Sequence, residues 1–292
     1  MKTHIPDHAF HKNNKVYLIF EPVALLAVFL LVVHLLTAAG ADRWRIAVAL
    51  FIVTGMAITA FVPVLRPVYA DRRLLRLITA LAIGFWVFNC FRYYGLVAWP
   101  LARPGNLYGY LLLLYFHFIF AANVLVPVLI MNRVNGQGNP IRWGAWGRFS
   151  VTTPLSVVLV VTSAAAVFMA IGIVTRIQIQ PPGPFWGIVA IAVIKAALTG
   201  GTEEICYRGI LQPACVKRYG RIPGIVFQAL LYTAFHMHLG PVVFFGAGYF
   251  GCVLALGLIF GAVTQRTAGI GWALIIHVSI NIVVEWLNIS SI

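Results

Sequence analysis

The sequence predicts an all-α, polytopic transmembrane helical bundle of about 8–9 spans, and three observations carry that expectation. The 292 residues are 61% hydrophobic and 10% charged, with a mean hydropathy of +0.93, whereas a soluble domain carries about 25% charge. Apolar runs of roughly 18 residues or more, enough for a helix to cross a bilayer, recur along the whole length. They are continuous rather than alternating, which argues against a β-barrel. Finally, Lys and Arg gather in alternate connections between the runs, as they do in the cytoplasmic loops of membrane proteins.

Taken in order, residues 1–16 read as a solvated polar tail with Lys2, Lys12 and Lys15. His4, His8 and His11 fall on one helical face there, but nothing else chelating is near. Helix one is expected at 17–39, entered at Glu21-Pro22, with His34 packed inside it. It reads as retained, because no convincing small-residue cleavage site follows. Helix two is expected at 46–65, ending at Pro63 and Pro67. Helix three follows a basic stretch (Arg66, Arg72, Arg73, Arg76) and runs over 77–97 with Arg92 near its end. Helix four covers 107–131, with His117 and Asn123 as interhelical hydrogen-bonding residues. Helix five covers 151–174 and is broken from helix six by Pro181-Pro182-Gly183-Pro184, a strong turn signal. Helix six starts near Phe185, passes Lys195, and is expected to stop at Pro213. Helix seven begins after Pro223 and reaches His236, helix eight covers 243–263, and helix nine covers 270–287. Trp44, Trp99, Trp143 and Trp186 near span ends read as interfacial anchors, and Glu285 as an interfacial residue.

With the N-terminus inside, the inner connections hold fifteen Lys and Arg and the outer ones four. That asymmetry favours a cytoplasmic N-terminus and accounts for the net charge of +14 without nucleic acid. Cys90, Cys206, Cys215 and Cys252 are widely spaced, form no CxxC pair and imply no disulfide framework; Cys90, Cys206 and Cys252 are expected as buried apolar fillers. The chain divides into an N-terminal transmembrane region at 1–180, of undefined role, and a region at 185–288 that concentrates the ionisable intramembrane residues.

Those residues fall on three helices. Helix six carries Glu203, Glu204 and Arg208; helix seven carries His236, with His238 nearby; helix nine carries His277 and Asn281. Two of the seven acidic residues of the chain are thus adjacent inside a span, and an intramembrane carboxylate marks a functional site by default. Counted along helices at 1.5 Å per residue, Glu203, His277 and His236 lie roughly 15, 10 and 20 Å from the inner ends of their spans. They overlap in depth and can meet. Glu204 and Arg208 share a face at i, i+4, as do Tyr232 and His236, and His277 and Asn281. Glu203 is turned about 100° from Glu204 and can face a different neighbour. A Glu and a His on one water make a general base, and a second His with an Asn can hold an oxyanion. Taken one at a time, each His reads as a satisfied buried residue and the Glu pair as a helix-packing ion pair. The joint spacing favours hydrolysis of a peptide bond.

Glu203-Glu204-x-x-x-Arg208, Tyr232-x-x-x-His236 and His277-x-x-x-Asn281 resemble, in order, the three motifs of the CPBP family, the CAAX proteases and bacteriocin-processing proteins also called the Abi family of intramembrane proteases. Arg208-Gly209 and Arg266-Thr267 support the likeness, which spans about residues 185–288. The resemblance implies a catalytic core in the C-terminal four helices, Glu203 and His236 activating the water, His277 and Asn281 stabilising the oxyanion, and Glu204 and Arg208 holding helix geometry. One departure is visible: the aromatic of the second motif, usually Phe, is Tyr232. Family members are commonly called metalloproteases. Zinc on Glu203, His236 and His277 therefore stays open beside a glutamate-type, metal-free mechanism, although no HExxH pair is present. The expected partners are the lipid bilayer and a peptide or membrane-protein substrate, and the expected location is a bacterial plasma membrane. A proton relay or transporter, and a non-catalytic bacteriocin-immunity scaffold, are the alternatives.

Overall fold

The computed structural model describes residues 15–37, 43–62, 71–93, 107–136, 185–236 and 246–290. The helix expected at 151–174, the connection holding His238, Trp99 and Trp143 lie outside the described residues, as do the side chains of Arg92, Trp186 and Glu285.

Every element is helical: α1 Lys15–Thr37, α2 Arg43–Phe61, α3 Arg72–Tyr93, α4 Leu107–Val134, α5 Phe185–Glu203, the π-helical segment π1 Glu204–Leu211, α6 Gln212–Tyr219, α7 Arg221–His236, α8 Gly246–Thr267 and α9 Gly271–Ser290. Five of them (α1, α2, α3, α4 and α8) are long and apolar enough to cross a membrane, and α9 carries a shorter apolar stretch at Gly271–Ile282. Large apolar side chains such as Phe51, 80% exposed, and Phe118, 58% exposed, face outward on α2 and α4. Water does not stabilise such a surface, and lipid does. The chain is an all-α membrane protein.

One apolar core joins both halves. It runs from Leu25 and Phe29 of α1, through α3 and α4, to Cys206 and Tyr207 of π1 and Phe235 of α7. The α3 helix is its centre, with 72% of its apolar window buried against 28–33% for α1, α2 and α4. Phe235 meets Phe85 of α3 edge-on at 5.3 Å and Phe120 of α4 at 5.7 Å. The N-terminal helices are therefore the wall against which the helices of the candidate site pack.

Polar contacts at one end of the bundle fix the same arrangement. Glu21 on α1 accepts hydrogen bonds from the Asp71 backbone N–H before α3 (2.6 Å) and from Arg218 of α6 at 2.8 and 2.6 Å. The Glu21 side chain is 1% exposed and that of Arg218 10%. Nearby, Arg76 donates to the Ala60 carbonyl of α2 and to Asn135 after α4. Arg73, Arg76, Arg133, Arg218 and Arg221 thus gather at one end, the distribution that the alternating basic connections imply.

Five expectations are corrected. The helix of α5, π1 and α6 does not stop at Pro213; it continues to Tyr219, roughly 50 Å from Phe185. The reason is the hydrogen-bond register. In π1 the bonds run i→i+5, and the Gln212 N–H still bonds back to the Tyr207 carbonyl. Where the register returns to i→i+4, one carbonyl is skipped, and Pro213, which has no N–H to place, sits at that return in the first turn of α6. His34 is exposed on α1 rather than packed, and Cys252 is exposed and Cys90 half-buried rather than buried. Asn123 bonds within its own helix, to the Ile119 carbonyl at 2.8 Å, because a short amide reaches back one turn more readily than across to a neighbour.

The α3 and α4 helices approach closely where a Cβ on Gly84 would run into the Asn123 carbonyl oxygen, while one on Gly55 of α2 meets nothing within 4 Å. Gly84→Ala is expected to destabilise the fold by about 1–3 kcal/mol. Gly55→Ala, replacing Gly within a helix, should be neutral or stabilising. Thermal unfolding of the two variants in detergent checks the pair.

Candidate active site

The site forms where α5 passes into π1. The sequence Gly200-Gly201-Thr202 precedes the carboxylates, and Gly200 is the point at which α9 comes in: a Cβ there would lie 3.1 Å from Val278 Cγ2 and 3.6 Å from the His277 ring. A small residue at this place lets His277 reach the Glu pair. π-Helical turns inside α-helices are rare and recur at functional sites, because the widened turn re-aims the side chains it carries. Here the register changes between the two carboxylates, with Glu203 ending α5 and Glu204 opening π1.

The two carboxylates then have different surroundings. Glu204 is fully buried. Its Oε1 accepts from Arg208 Nη1 at 3.0 Å and from His277 Nδ1 at 2.8 Å. Arg208, 1% exposed, is held between aromatic faces, 4.1 Å from the Tyr232 ring centre and 5.1 Å from that of Phe260. Such a buried pair is stable only because further hydrogen bonds and cation–π contacts replace the lost water. Glu203 instead faces the two histidines: its Oε2 lies 3.5 Å from His236 Nε2 and 3.7 Å from His277 Nε2. No hydrogen-bond partner reaches that buried oxygen. The residual side-chain exposure of the cluster is on these three, at 11% for His236 and 6% each for Glu203 and His277, against 0% for Glu204 and Arg208. What opening the site has is lined by Glu203 and the histidines.

The ring nitrogens are assigned by their partners. His236 Nδ1 lies 2.9 Å from the Tyr232 carbonyl oxygen, which can only accept, so Nδ1 carries the proton and the neutral ring offers Nε2 as a base. His277 Nδ1 faces an acceptor-only carboxylate oxygen and is likewise the donor. Tyr232 lies against His236 at 4.3 Å between ring centres. Phe260 stacks on His277 at 5.1 Å. Asn281 is half-buried one turn beyond His277 on α9.

Of the residues singled out from the sequence, Glu203, Glu204, Arg208, His236 and His277 come together within one cluster. The Glu204–His277 bond joins residues 73 apart and had no local signal. Phe260, the ring that packs both His277 and Arg208, looks in sequence like any other apolar residue of a span. Among the described residues no group of three or more His, Cys, Asp or Glu is gathered into a metal cage. In donor type, Glu203 Oε2 with the Nε2 atoms of His236 and His277 fits a His₂Glu zinc site. Each ring's Nδ1 is engaged by a carbonyl or a carboxylate, as in histidine ligands.

A family model described as type II CAAX prenyl endopeptidase Rce1-like matches residues 183–283. No curated protein and no solved structure matches the chain significantly. The matched stretch, about a third of the chain, holds the whole cluster of Glu203, Glu204, Arg208, His236 and His277, together with Asn281, which lies one turn beyond His277 and makes no hydrogen bond to the cluster. Residues 183–283 of this membrane-embedded chain are thus similar to the type II CAAX prenyl endopeptidases of the Rce1-like family, which supports the resemblance to the CPBP family.

Proposed function

We propose that the chain hydrolyses a peptide bond of a peptide or membrane-protein substrate near the cytoplasmic face of a bacterial plasma membrane, with water activated by Glu203 and His236. The supporting observation is the gap at Glu203 Oε2, which faces two imidazole Nε2 atoms at 3.5 and 3.7 Å without bonding directly to either. Atoms this close leave no room for a water on the line between them, but one water set to the side, about 2.8 Å from each, can bond to Glu203 Oε2 and an imidazole Nε2 together. Glu203, or His236 through its Nε2, takes the proton as the water oxygen bonds to the scissile carbonyl carbon. The same proton is then delivered to the departing amine as the C–N bond breaks. The developing oxyanion is held by His277 and Asn281. Donation from His277 Nε2 requires the doubly protonated ring, with Glu204 as its counter-ion. Glu204 and Arg208 hold that ring and the π turn in place. The N-terminus lies on the cytoplasmic side, together with the arginine-rich end of the bundle.

The proposal is metal-free. Were zinc bound by Glu203, His236 and His277, it would supply a Lewis acid and a more acidic water at the same place. Purified protein freed of metal by a chelator is expected to keep its activity. Loss on chelation with recovery on adding zinc would reassign those three residues as ligands.

Glu203→Gln and His236→Ala are each expected to lower kcat by at least about a hundredfold, with the protein still inserted and its thermal unfolding little changed. Glu204→Gln removes the charge that pairs Arg208 and is expected to cost about 3–5 kcal/mol of stability as well as activity. The substrate assay is comparative mass spectrometry of membrane-protein termini. New termini are expected with the wild-type chain and none with Glu203→Gln. Identical termini together with potential-dependent proton flux would favour a relay instead.

A further inference from the structure

We propose that Gln212, Gln228 and Thr264 form a buried water-binding relay that connects the basic end of the bundle to the carboxylate cluster. The proposal rests on Glu203 acting on water, and it adds the route by which that water arrives.

Gln212 and Gln228 are 1% and 0% exposed. Both polar atoms of the Gln228 amide, the Gln212 Oε1 and the Thr264 Oγ1 are buried without a hydrogen-bond partner. Gln212 is held in one orientation, because its Nε2 donates to the Gly261 carbonyl of α8 at 2.9 Å. Its Oε1 and that of Gln228 point at the same place: a Cβ built on Gly261 would lie 3.2 Å from the first and 3.4 Å from the second. Thr264 follows one turn later on α8. Two acceptors that converge without a donor between them do not satisfy one another. Turning the Gln228 amide over would bring a donor towards the Gln212 Oε1 but still leave Thr264 Oγ1 and the other Gln228 atom unpaired. Buried polar atoms in this number are held by internal water, which bonds to two to four such groups.

The position gives the cluster its role. Glu204, Arg208 and Gln212 follow at four-residue steps on one side of the catalytic helix, and His236, Tyr232 and Gln228 do the same on α7. Both stripes lead from the glutamines to the site. Along the first, Arg208 Nε and Nη2 and Glu204 Oε2 are also buried without partners, so polar atoms continue up to the carboxylates. The other end lies next to the turn between α6 and α7, where Lys217, Arg218 and Arg221 stand. An intramembrane hydrolase consumes one water per bond cut, and its apolar walls conduct none.

The experiment uses the full chain labelled with ¹⁵N at glutamine. Cross-relaxation from water to the Gln228 and Gln212 side-chain amides is expected, and it is lost selectively in Gln228→Leu and in Gln212→Met. In the same variants kcat should fall by at least about tenfold, with KM and the unfolding temperature unchanged, and Gln228→Asn should restore part of the rate. Gln228→Leu tests one end and Thr264→Val the other, should either fail to insert. Absence of water contact at both amides overturns the relay, and so does water contact with unchanged kcat. If Glu203→Gln stays active, the base assignment fails, while the amide cross-peaks still report on the water.

Discussion

The bonding of Glu204 is the constraint on which the rest of the site depends. A fully buried carboxylate in an apolar helical bundle must be neutralised and hydrogen-bonded, or it does not stay charged and packed. Glu204 meets this through Arg208 on its own helix and His277 on α9. One bond orders π1 and the other fixes which nitrogen of His277 is presented to Glu203. The pair Tyr232 and Phe260 then encloses the Arg208 guanidinium, so α7 and α8 are tied to the same charge. With Glu204 committed in this way, Glu203 remains as the carboxylate facing the two imidazoles.

The N-terminal helices enter the same account. Phe85 and Phe120 brace Phe235, the residue before His236. At the far end, Glu21 joins α1 and the start of α3 to Arg218 of α6. The long helix of α5, π1 and α6 is thereby held at both ends of its C-terminal half: by α9 at Gly200 and by α1 at Arg218. A region whose sequence carries no catalytic motif is still the support that sets where the motif residues stand.

The class of fold was legible because lipid imposes a length and a composition that ordinary cores do not. The motif residues were legible because ionisable groups are rare in spans and because i, i+4 spacing places Glu204 with Arg208 on one face. The expectation of a stop at Pro213 failed for a physical reason: a change from i→i+4 to i→i+5 bonding leaves no trace in composition, yet it removes the clash on which the expectation relied. Glu204–His277 and Glu21–Arg218 were not readable because they join residues 73 and 197 apart, and a lone buried Glu in α1 looked like an entry residue. His34 and Cys252 were assigned inward on polarity and on type alone, but both are exposed, with His34 in the last turn of α1, where a polar side chain can reach the membrane edge.

The claim at the centre is that Glu203 and His236 deliver water directly to the scissile carbonyl. Single-turnover cleavage in H₂¹⁸O, followed by mass spectrometry of both product and enzyme, tests this most directly. Direct delivery places one ¹⁸O in the new C-terminal carboxyl group and none in Glu203. An unlabelled product with ¹⁸O in the Glu203 carboxylate would show that Glu203 attacks the substrate itself, and would contradict the account.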